Sequence, residues 1–180
     1  MKHKILALGL VFASLLLALG CAKNQQTADI KTDVEKALSQ AGLATIKVSL
    51  DQDKGVVTLS GDVQTDADKQ RAGDVAKSMS GSLVIANEIG VRPSGFESEA
   101  KHIDSSLDTA IEKNFEAILV GKQLEKGIKY AAENGVLTLK GEVNSPSMRH
   151  EVELLAASVP NVKQVVNELQ ITELKATSRK

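Results

Sequence analysis

The sequence predicts an α+β protein made of two tandem modules, each with the order helix, strand, strand, helix, strand. The first observation is an internal repeat: "GVVTLSGDV" (Gly55–Val63) recurs as "GVLTLKGEV" (Gly135–Val143), with six of nine positions identical. At the same spacing "NEIGV" (Asn87–Val91) recurs as "NELQI" (Asn167–Ile171). The second observation is that hydrophobic periodicity alternates between helix and strand within each repeat. We therefore expect three-stranded mixed sheets, each covered on one face by two helices.

The first element of each repeat is predicted to be an amphipathic helix, because apolar residues recur at three- and four-residue spacing. The first helix is expected to end at Gly42, where glycine suits a C-terminal cap. The corresponding helix of the second repeat is expected to begin near Ser105 and to end near Gly121. The predicted apolar faces are Ile30, Val34, Ala37 and Leu38 in the first repeat, and Leu107, Ile111, Phe115 and Ile118 in the second.

A hairpin follows each helix. Ile46, Val48 and Leu50 alternate with polar residues, which is strand periodicity. The turns are "DKG" in the first repeat and "ENG" in the second, and Asn-Gly is a strong hairpin signal. The glycines later in the returning strand, Gly61 and Gly141, predict a bulge or a close approach of another backbone. The expected inward residues are Val57, Leu59, Gly61 and Val63, and then Leu137, Leu139, Gly141 and Val143.

A second helix and a third strand complete each module. Thr65 and Ser145 are predicted N-caps, and Pro146 suits the first helical turn. Asn87 and Asn167 fall on the inward phase of the third strand, so we expect their amides to bond to backbone groups. The predicted helix stripes are Ala72, Val75, Ala76 and Met79, matched by Val152, Leu155, Ala156 and Val159. The predicted strand residues are Leu83, Ile85, Ile89 and Val91, matched by Val165, Leu169 and Ile171.

The N-terminus has the pattern of a signal peptide. Lys2 and Lys4 precede an apolar run, 5–20, which is shorter than the roughly 20 residues that a membrane-spanning helix needs. "ALGC" at the end of this run resembles a bacterial lipobox, although Leu19 stands one position later than is usual. The resemblance implies cleavage after Gly20 and acylation of Cys21, the single cysteine. The alternatives are a secreted protein with a free thiol and an uncleaved anchor.

The expected location is the periplasmic face of the outer membrane, because Ala22 stands where an aspartate would indicate retention in the inner membrane. We expect a tether of at most ~25 Å to hold the first module beside the membrane, and a linker to leave the second module free to reach another surface. Each module is expected to fold alone. The predicted division is signal peptide 1–20, acylated cysteine and tether 21–28, first module 29–91, linker 92–104, second module 105–172 and polar tail 173–180.

The repeated pattern resembles the BON domain (bacterial OsmY and nodulation). The matching residues are "GVVTLSGDV…NEIGV" and "GVLTLKGEV…NELQI", and the resemblance covers about 29–91 and 105–172. A lipobox followed by two such modules is similar to the dual BON-domain lipoproteins of the bacterial envelope. This resemblance implies association with phospholipid and a role in envelope maintenance. It also implies, for some members, a periplasmic chaperone role under osmotic stress.

The sequence predicts no catalytic, cofactor-binding or metal site. His102 and His150, the histidines that follow the signal peptide, have no cysteine or second histidine at ligand spacing. "DQDKG" opens like a calcium loop, but Val56 stands where that loop needs glycine. Of 22 basic residues, 20 remain once Lys2 and Lys4 are removed, against 23 acidic residues. An enzyme is therefore not expected, and neither is a nucleic-acid partner.

The candidate ligand surface is a group of lysines in "LVGKQLEKGIKY": Lys122, Lys126 and Lys129. Leu119, Val120 and Tyr130 lie close to them in the sequence. One interpretation is a solvated charged face, and the other is contact with phospholipid headgroups. The expected partners are the membrane through the acyl chains, and phospholipid or other envelope proteins. The alternative function is that of a chaperone-like or scaffold protein that binds envelope proteins or peptidoglycan.

Overall fold

The computed structural model describes residues 22–172, and the side chains of 30–172. Cys21, the predicted signal peptide and the predicted tail 173–180 lie outside the described residues. The first module comprises α1 (Ala22–Gln40), β1 (Lys47–Asp51), β2 (Val56–Ser60), β3 (Asp62–Val63), α2 (Asp66–Ser80), β4 (Val84–Asn87) and β5 (Gly90–Val91). The second comprises α3 (Glu97–Lys122), β6 (Ile128–Glu133), β7 (Val136–Val143), α4 (Pro146–Ala157) and β8 (Gln164–Ile171). The predicted α+β class and the two tandem modules are confirmed.

Both sheets are mixed, as predicted, and the repeated sequence forms the central strand of each. Strand β2 pairs antiparallel with β1 and parallel with β4. Strand β7 likewise pairs antiparallel with β6 and parallel with β8. In the first module the central and third strands are interrupted, and their ends pair separately as β3 and β5. In the second module the same two strands run without interruption.

Each module has its own apolar core between its helices and its sheet. In the first, Val34 and Leu38 of α1 and Ala72 and Ala76 of α2 pack on the inward side chains of β2. In the second, Phe115 is the largest fully buried side chain. Its other buried members are Ile111, Leu119, Ile128, Leu137, Leu139, Val143, Val152, Ala156, Val159 and Leu169.

Two residues predicted to be on apolar helix faces are more exposed than expected. Met79 is 48% exposed, because the face of α2 toward the sheet follows Ala72, Ala76 and Ser80 at four-residue spacing. Leu107 is 36% exposed, because it lies in the first half of α3, before the part of the helix that packs in the core.

The local signals at turns and caps are confirmed. Asn134 and Gly135 both have positive φ, at 50° and 84°, as a two-residue type I′ hairpin requires. The hydroxyl of Thr65 accepts a hydrogen bond from the Asp68 N–H, and that of Ser145 accepts one from the Met148 N–H, each at 3.1 Å. These bonds satisfy backbone donors that the first helical turn leaves free.

Helix α3 begins at Glu97, so residues 97–104, predicted as part of a linker, are helical. Glu97 and Glu99 stabilise this start, because acidic side chains favour a helix N-terminus. The helix passes through Gly121 and ends where Gln123 takes a left-handed conformation, with φ 59°. Helix α1 begins at Ala22 and therefore includes most of the predicted tether.

The modules pack against each other, which corrects the expectation that the second one hangs free. Their contact uses the sheet faces opposite the helices, since neighbouring strand residues point to opposite faces. Four small side chains form an apolar cluster there, and each is 1–3% exposed: Val56, Ala86, Val136 and Val166.

Candidate functional site

The three predicted lysines lie at one end of the second module, and all are exposed. Lys122 ends α3, Lys126 lies in the following loop and Lys129 belongs to β6. They do not share one face. Ile128 is buried under the helices, so the next residue, Lys129, projects from the opposite side of the sheet.

Lys129 has a further lysine as its direct neighbour, because Lys140 pairs with it across β6 and β7. Like charges in directly opposite positions repel, but Lys140 is 3.9 Å from the carboxylate of Glu168, which offsets part of this repulsion. Glu125 and Glu142 are the acidic residues adjacent in the chain. We define the lysine end as Lys122, Lys126, Lys129 and Lys140.

Of the three apolar residues next to these lysines, only Val120 is available to a ligand. It is 57% exposed, whereas Leu119 is 1% exposed. Tyr130 is half-buried and packs edge-on against Phe115, with ring centroids 5.1 Å apart. Burial raises the pKa of the Tyr130 hydroxyl above its usual range.

A second polar region, which the sequence analysis missed, joins the two modules. The amide of Asn134, in the β6–β7 turn, donates to the Glu88 carbonyl oxygen at 2.8 Å and accepts from Arg92 at 3.2 Å. Asp108 of α3 holds the turn by accepting from the N–H groups of Asn134 and Gly135. The β6–β7 turn therefore places the side chain of Asn134 against the other module.

Arg92 is a largely buried charged group of this region, with 10% of its side chain exposed. It forms ion pairs with Asp62 of β3, at 3.4 Å, and with Asp104 of α3. Because the first carboxylate belongs to the first module and the second to α3, the guanidinium links the two modules.

Gln164 makes the contact between strands. Its amide nitrogen donates to the Ile85 carbonyl oxygen at 2.5 Å, and its amide oxygen accepts from the Asn87 N–H at 3.3 Å. A side chain of β8 therefore satisfies backbone groups at the free edge of β4. Covering an edge in this way protects it from pairing with another chain.

An ion pair also links the two modules. Lys54 of the first module lies 2.8 Å from Glu168 of β8, whose side chain is only 6% exposed. The hydrogen bond to this carboxylate raises the pKa of Lys54 above its usual range. Lys140 is 3.9 Å from the same carboxylate.

Beside these contacts lies a cleft of about 480 Å³, lined by groups from both modules. Burial raises the pKa of Glu88 in this cleft, and the nearby negative charge of Glu133 raises it further. Of the residues that join the modules, Gln164 and Glu168 lie on the outward phase of β8, Asn134 lies in the hairpin turn and Arg92 falls in the predicted linker. Polar residues at such positions are normally solvated, so they did not indicate a contact.

The described residues contain neither a metal site nor a membrane span. Across 22–172, no group of three or more histidine, cysteine, aspartate or glutamate side chains could hold a metal ion. Over the same range, the helices are too short or too polar to cross a bilayer.

Two solved structures that were compared with this chain are only weakly similar to it. Both are structures of CdsD, a structural protein of the type III secretion system of Chlamydia trachomatis, and share 13% identity with this chain. The first has a TM-score of 0.33, and the match covers 80% of this chain and 98% of the CdsD chain. The second has a TM-score of 0.37, and the match covers 82% of this chain and 94% of the CdsD chain. These scores are too low to carry an argument.

A curated relative is more informative. Osmotically-inducible protein Y of Escherichia coli (strain K12) is 30% identical over 125 residues, which is 68% of this chain and 61% of the relative. The BON domain matches twice, at residues 26–93 and 104–173, which together form most of the sequence. The chain therefore belongs to the BON domain family.

Proposed function

We propose that this protein is a non-enzymatic periplasmic envelope protein, held on the outer membrane by acyl chains on Cys21, that associates with phospholipid through the lysine end. Family membership and the similarity to an osmotically inducible protein support a role in envelope maintenance or stress. The lipobox-like "ALGC" supports the anchor. Acyl chains on one cysteine provide the several hydrophobic signals that stable anchoring needs.

The observation that carries the lipid proposal is the composition of the lysine end. Lys122, Lys126 and Lys129 are exposed, and Val120 is an exposed apolar residue beside them. Lysines near an anionic bilayer each contribute about 1 kcal/mol, and their alkyl stems lie along apolar surface while the ammonium groups reach the headgroups.

The attraction is local, because the chain after residue 20 has more acidic than basic residues. Exposed charges separated by more than about 8 Å are largely screened at physiological ionic strength. We therefore expect binding that requires anionic lipid and weakens as salt is added.

Sedimentation with liposomes tests this proposal. The chain from residue 22 onward should bind vesicles that contain anionic phospholipid and not vesicles of neutral phospholipid. The variant K122E/K126E/K129E should lose this binding with an unchanged circular dichroism spectrum, because the three side chains are exposed. The matched control K31E/K36E/K47E reverses three exposed lysines of the first module and should bind normally. Equal binding by both variants, or loss in the control alone, contradicts the proposal.

The anchor has a separate test. Cys21→Ser removes the acylated atom, and we expect a soluble or poorly processed protein, since the apolar run is too short for a good span. The measurement is fractionation of cells followed by a high-salt wash. Full retention of the variant in outer membranes would show that Cys21 is not the anchor.

A further inference from the structure

The outer edge of β1, on the side away from β2, is paired with no strand among the described residues. Strand β1 contains neither proline nor glycine, so each of its residues is able to join a sheet. Lys47 and Ser49 are exposed, whereas Val48 is buried in the apolar core. An edge strand presents unpaired backbone groups, and these are a template for another strand unless something covers them.

The corresponding edge of the second module is covered by a side chain. The N–H of Ala132, in β6, donates to the carboxylate of Glu112 at 2.9 Å and therefore points away from β7. Ile111 takes the place of Ile30, eighty-one positions earlier in the sequence, so Lys31 takes the place of Glu112. An ammonium group donates hydrogen bonds and accepts none. The residue that covers the edge of β6 is thus replaced in α1 by one that cannot do so.

The register of the two hairpins shows which backbone groups of β1 face the outer edge. Leu50 pairs with Val57, and Ala132 pairs with Leu137, which is the counterpart of Val57 in the repeat. Leu50 therefore has the same orientation as Ala132. Because alternate residues of a paired strand direct their N–H and C=O groups to the same side, those of Val48 face the outer edge as well.

A groove of about 620 Å³ lies beside this edge, between α1 and β1. Two of the α1 side chains that line it, Lys31 and Glu35, neutralise each other, with 3.6 Å between the ammonium nitrogen and the nearer carboxylate oxygen. The charges of β1 itself therefore decide which strand fits the edge. The strand side of the groove is lined by Ile46, Lys47, Val48 and Ser49.

We propose that β1 pairs antiparallel with β1 of a second copy of this chain, about a twofold axis at Ser49. In this register Val48 of one copy lies opposite Leu50 of the other, so the outward N–H and C=O groups of both copies bond to each other. Lys47 lies opposite Asp51 of the second copy, and symmetry repeats this opposite-charge pair. A slip of two residues in either direction places Ser49 opposite Lys47 or Asp51 instead. The charge pattern of β1 therefore fits the chain itself.

Asp51 is accessible for this contact. Its side chain is 43% exposed and lies 3.3 Å from the ammonium group of Lys54, which is closer, at 2.8 Å, to Glu168. A carboxylate has two acceptor oxygens and can therefore bond to a second lysine. The hydrogen bond from the Lys54 N–H lowers the pKa of Asp51 below its usual range, so the carboxylate is charged at neutral pH.

The pairing would join two first-module sheets into one sheet of six strands, in the order β4-β2-β1-β1-β2-β4. This proposal goes beyond the envelope role proposed above and does not rest on it, because β1 contains no residue of the lysine end. The variant K122E/K126E/K129E should therefore pair as the unchanged chain does. Failure of one proposal leaves the other intact.

The experiment is disulfide cross-linking of the full chain, purified in detergent and treated with a mild oxidant. Opposite residues that do not share hydrogen bonds have Cα atoms ~4.5 Å apart, a distance that a disulfide can span. Ser49 is exposed, so Ser49→Cys should keep the fold and give a covalent dimer on a non-reducing gel. Ala131→Cys is the matched control and should give none, because Ala131 pairs with Thr138 as Ser49 pairs with Thr58. The unsubstituted chain, which keeps Cys21, gives the background.

Two charge variants, each combined with Ser49→Cys, test the register. Lys47→Asp places two carboxylates opposite each other in both pairs, and Asp51→Lys places two ammonium groups there. Each should lower the rate of dimer formation roughly tenfold, because two attractive pairs become repulsive ones. A mixture of the two variants should restore the rate, since each copy then supplies the charge that the other lacks. Tags of different size distinguish the mixed dimer on the gel.

The proposal is overturned if Ser49→Cys gives no dimer above the background or if Ala131→Cys cross-links as fast. It is also overturned if the mixture of Lys47→Asp and Asp51→Lys chains cross-links no faster than either variant alone. That result would show that the two copies meet in another register or only by chance within a micelle. Circular dichroism of each variant confirms that the compared chains are folded.

Discussion

The two modules differ in how they bond the half-buried asparagine of the third strand, Asn87 in the first and Asn167 in the second. In the first, the Asn87 amide donates to the Lys69 carbonyl oxygen at 2.9 Å, and Gly73 of α2 leaves room for it. In the second, Asn167 donates to the Arg149 carbonyl oxygen and to the carboxylate of Glu153, which is the counterpart of Gly73 in the repeat. Both asparagines bond to helix backbone, as predicted. The helix side chain beside them is free to vary, provided that the amide keeps a partner.

The edges of the two sheets differ in a way that decides how the modules meet. In the second module Arg149 donates to the Leu169 and Asn167 carbonyl oxygens, so a residue of the same module covers the edge of β8. In the first module the corresponding edge, that of β4, is covered by Gln164 from the other module. The β4 edge of the first sheet is thus covered by a side chain of the second module, whereas the β8 edge of the second sheet is covered by a side chain of its own module.

The largest expected effects come from matched core truncations, which test whether the two cores are independent. Leu59 and Leu139 occupy the same position in the repeat, and both are fully buried. Each change to alanine should lower the free energy of unfolding by about 2–5 kcal/mol. Amide hydrogen exchange should show the loss of protection mainly within the module that carries the change. Equal loss in both modules would show that they unfold as a single unit.

A second pair of variants compares the same glycine in two settings. Gly61 and Gly141 both have φ +114°, where alanine is strained by about 1–3 kcal/mol. A Cβ at Gly61 would lie 3.3 Å from the Thr45 carbonyl oxygen, whereas one at Gly141 would overlap the Gly127 carbonyl oxygen. Thermal unfolding should therefore show that Gly141→Ala costs about 1–3 kcal/mol more than Gly61→Ala. Equal costs would show that the β6–β7 strand ends can separate freely.

Removal of the Gln164 side chain should separate the modules without unfolding them. Gln164→Ala leaves the Ile85 carbonyl oxygen and the Asn87 N–H without their side-chain partner, and a buried group left unpaired costs about 1–3 kcal/mol. Spin-label distances between α2 and α4 should broaden. Gln170→Ala, which changes an exposed residue on the same strand, is the control. An unchanged distance distribution for Gln164→Ala would assign the docking to the apolar cluster instead.

The smallest effect concerns pH. The pKa of Glu88 is raised in the folded protein, so its ionisation opposes the packed state. This penalty is present above the folded pKa, decreases as pH falls, and is absent below the unfolded value of about 4.3. Glu88→Gln should therefore raise the unfolding temperature slightly at pH 7 and leave it unchanged at pH 4. A lower unfolding temperature at pH 7 would indicate a favourable role for the carboxylate.

Much of each module could be predicted because its signals are local or repeated. The Asn134–Gly135 turn, the Thr65 and Ser145 caps and the apolar spacing in α1 and α4 need only neighbouring residues. The start of α3 was missed, since a segment with Pro93 and Gly95 resembles a linker. The separation of Lys122 and Lys129 onto different layers was missed as well, because sequence proximity does not show which face a strand residue occupies.

The sequence by itself determined the fold class, the repeat and most inward positions of the strands, because buried apolar residues recur with the period of the element that carries them. Ile171, which was predicted to point inward, is 44% exposed. Only the tertiary structure decided that the modules are packed together. That contact depends on a few polar side chains, such as Asn134, Gln164 and Arg92, and on four small apolar ones. Outward polar residues have the same pattern whether they face water or another module. Their partners are distant in sequence, so only the folded arrangement identifies them.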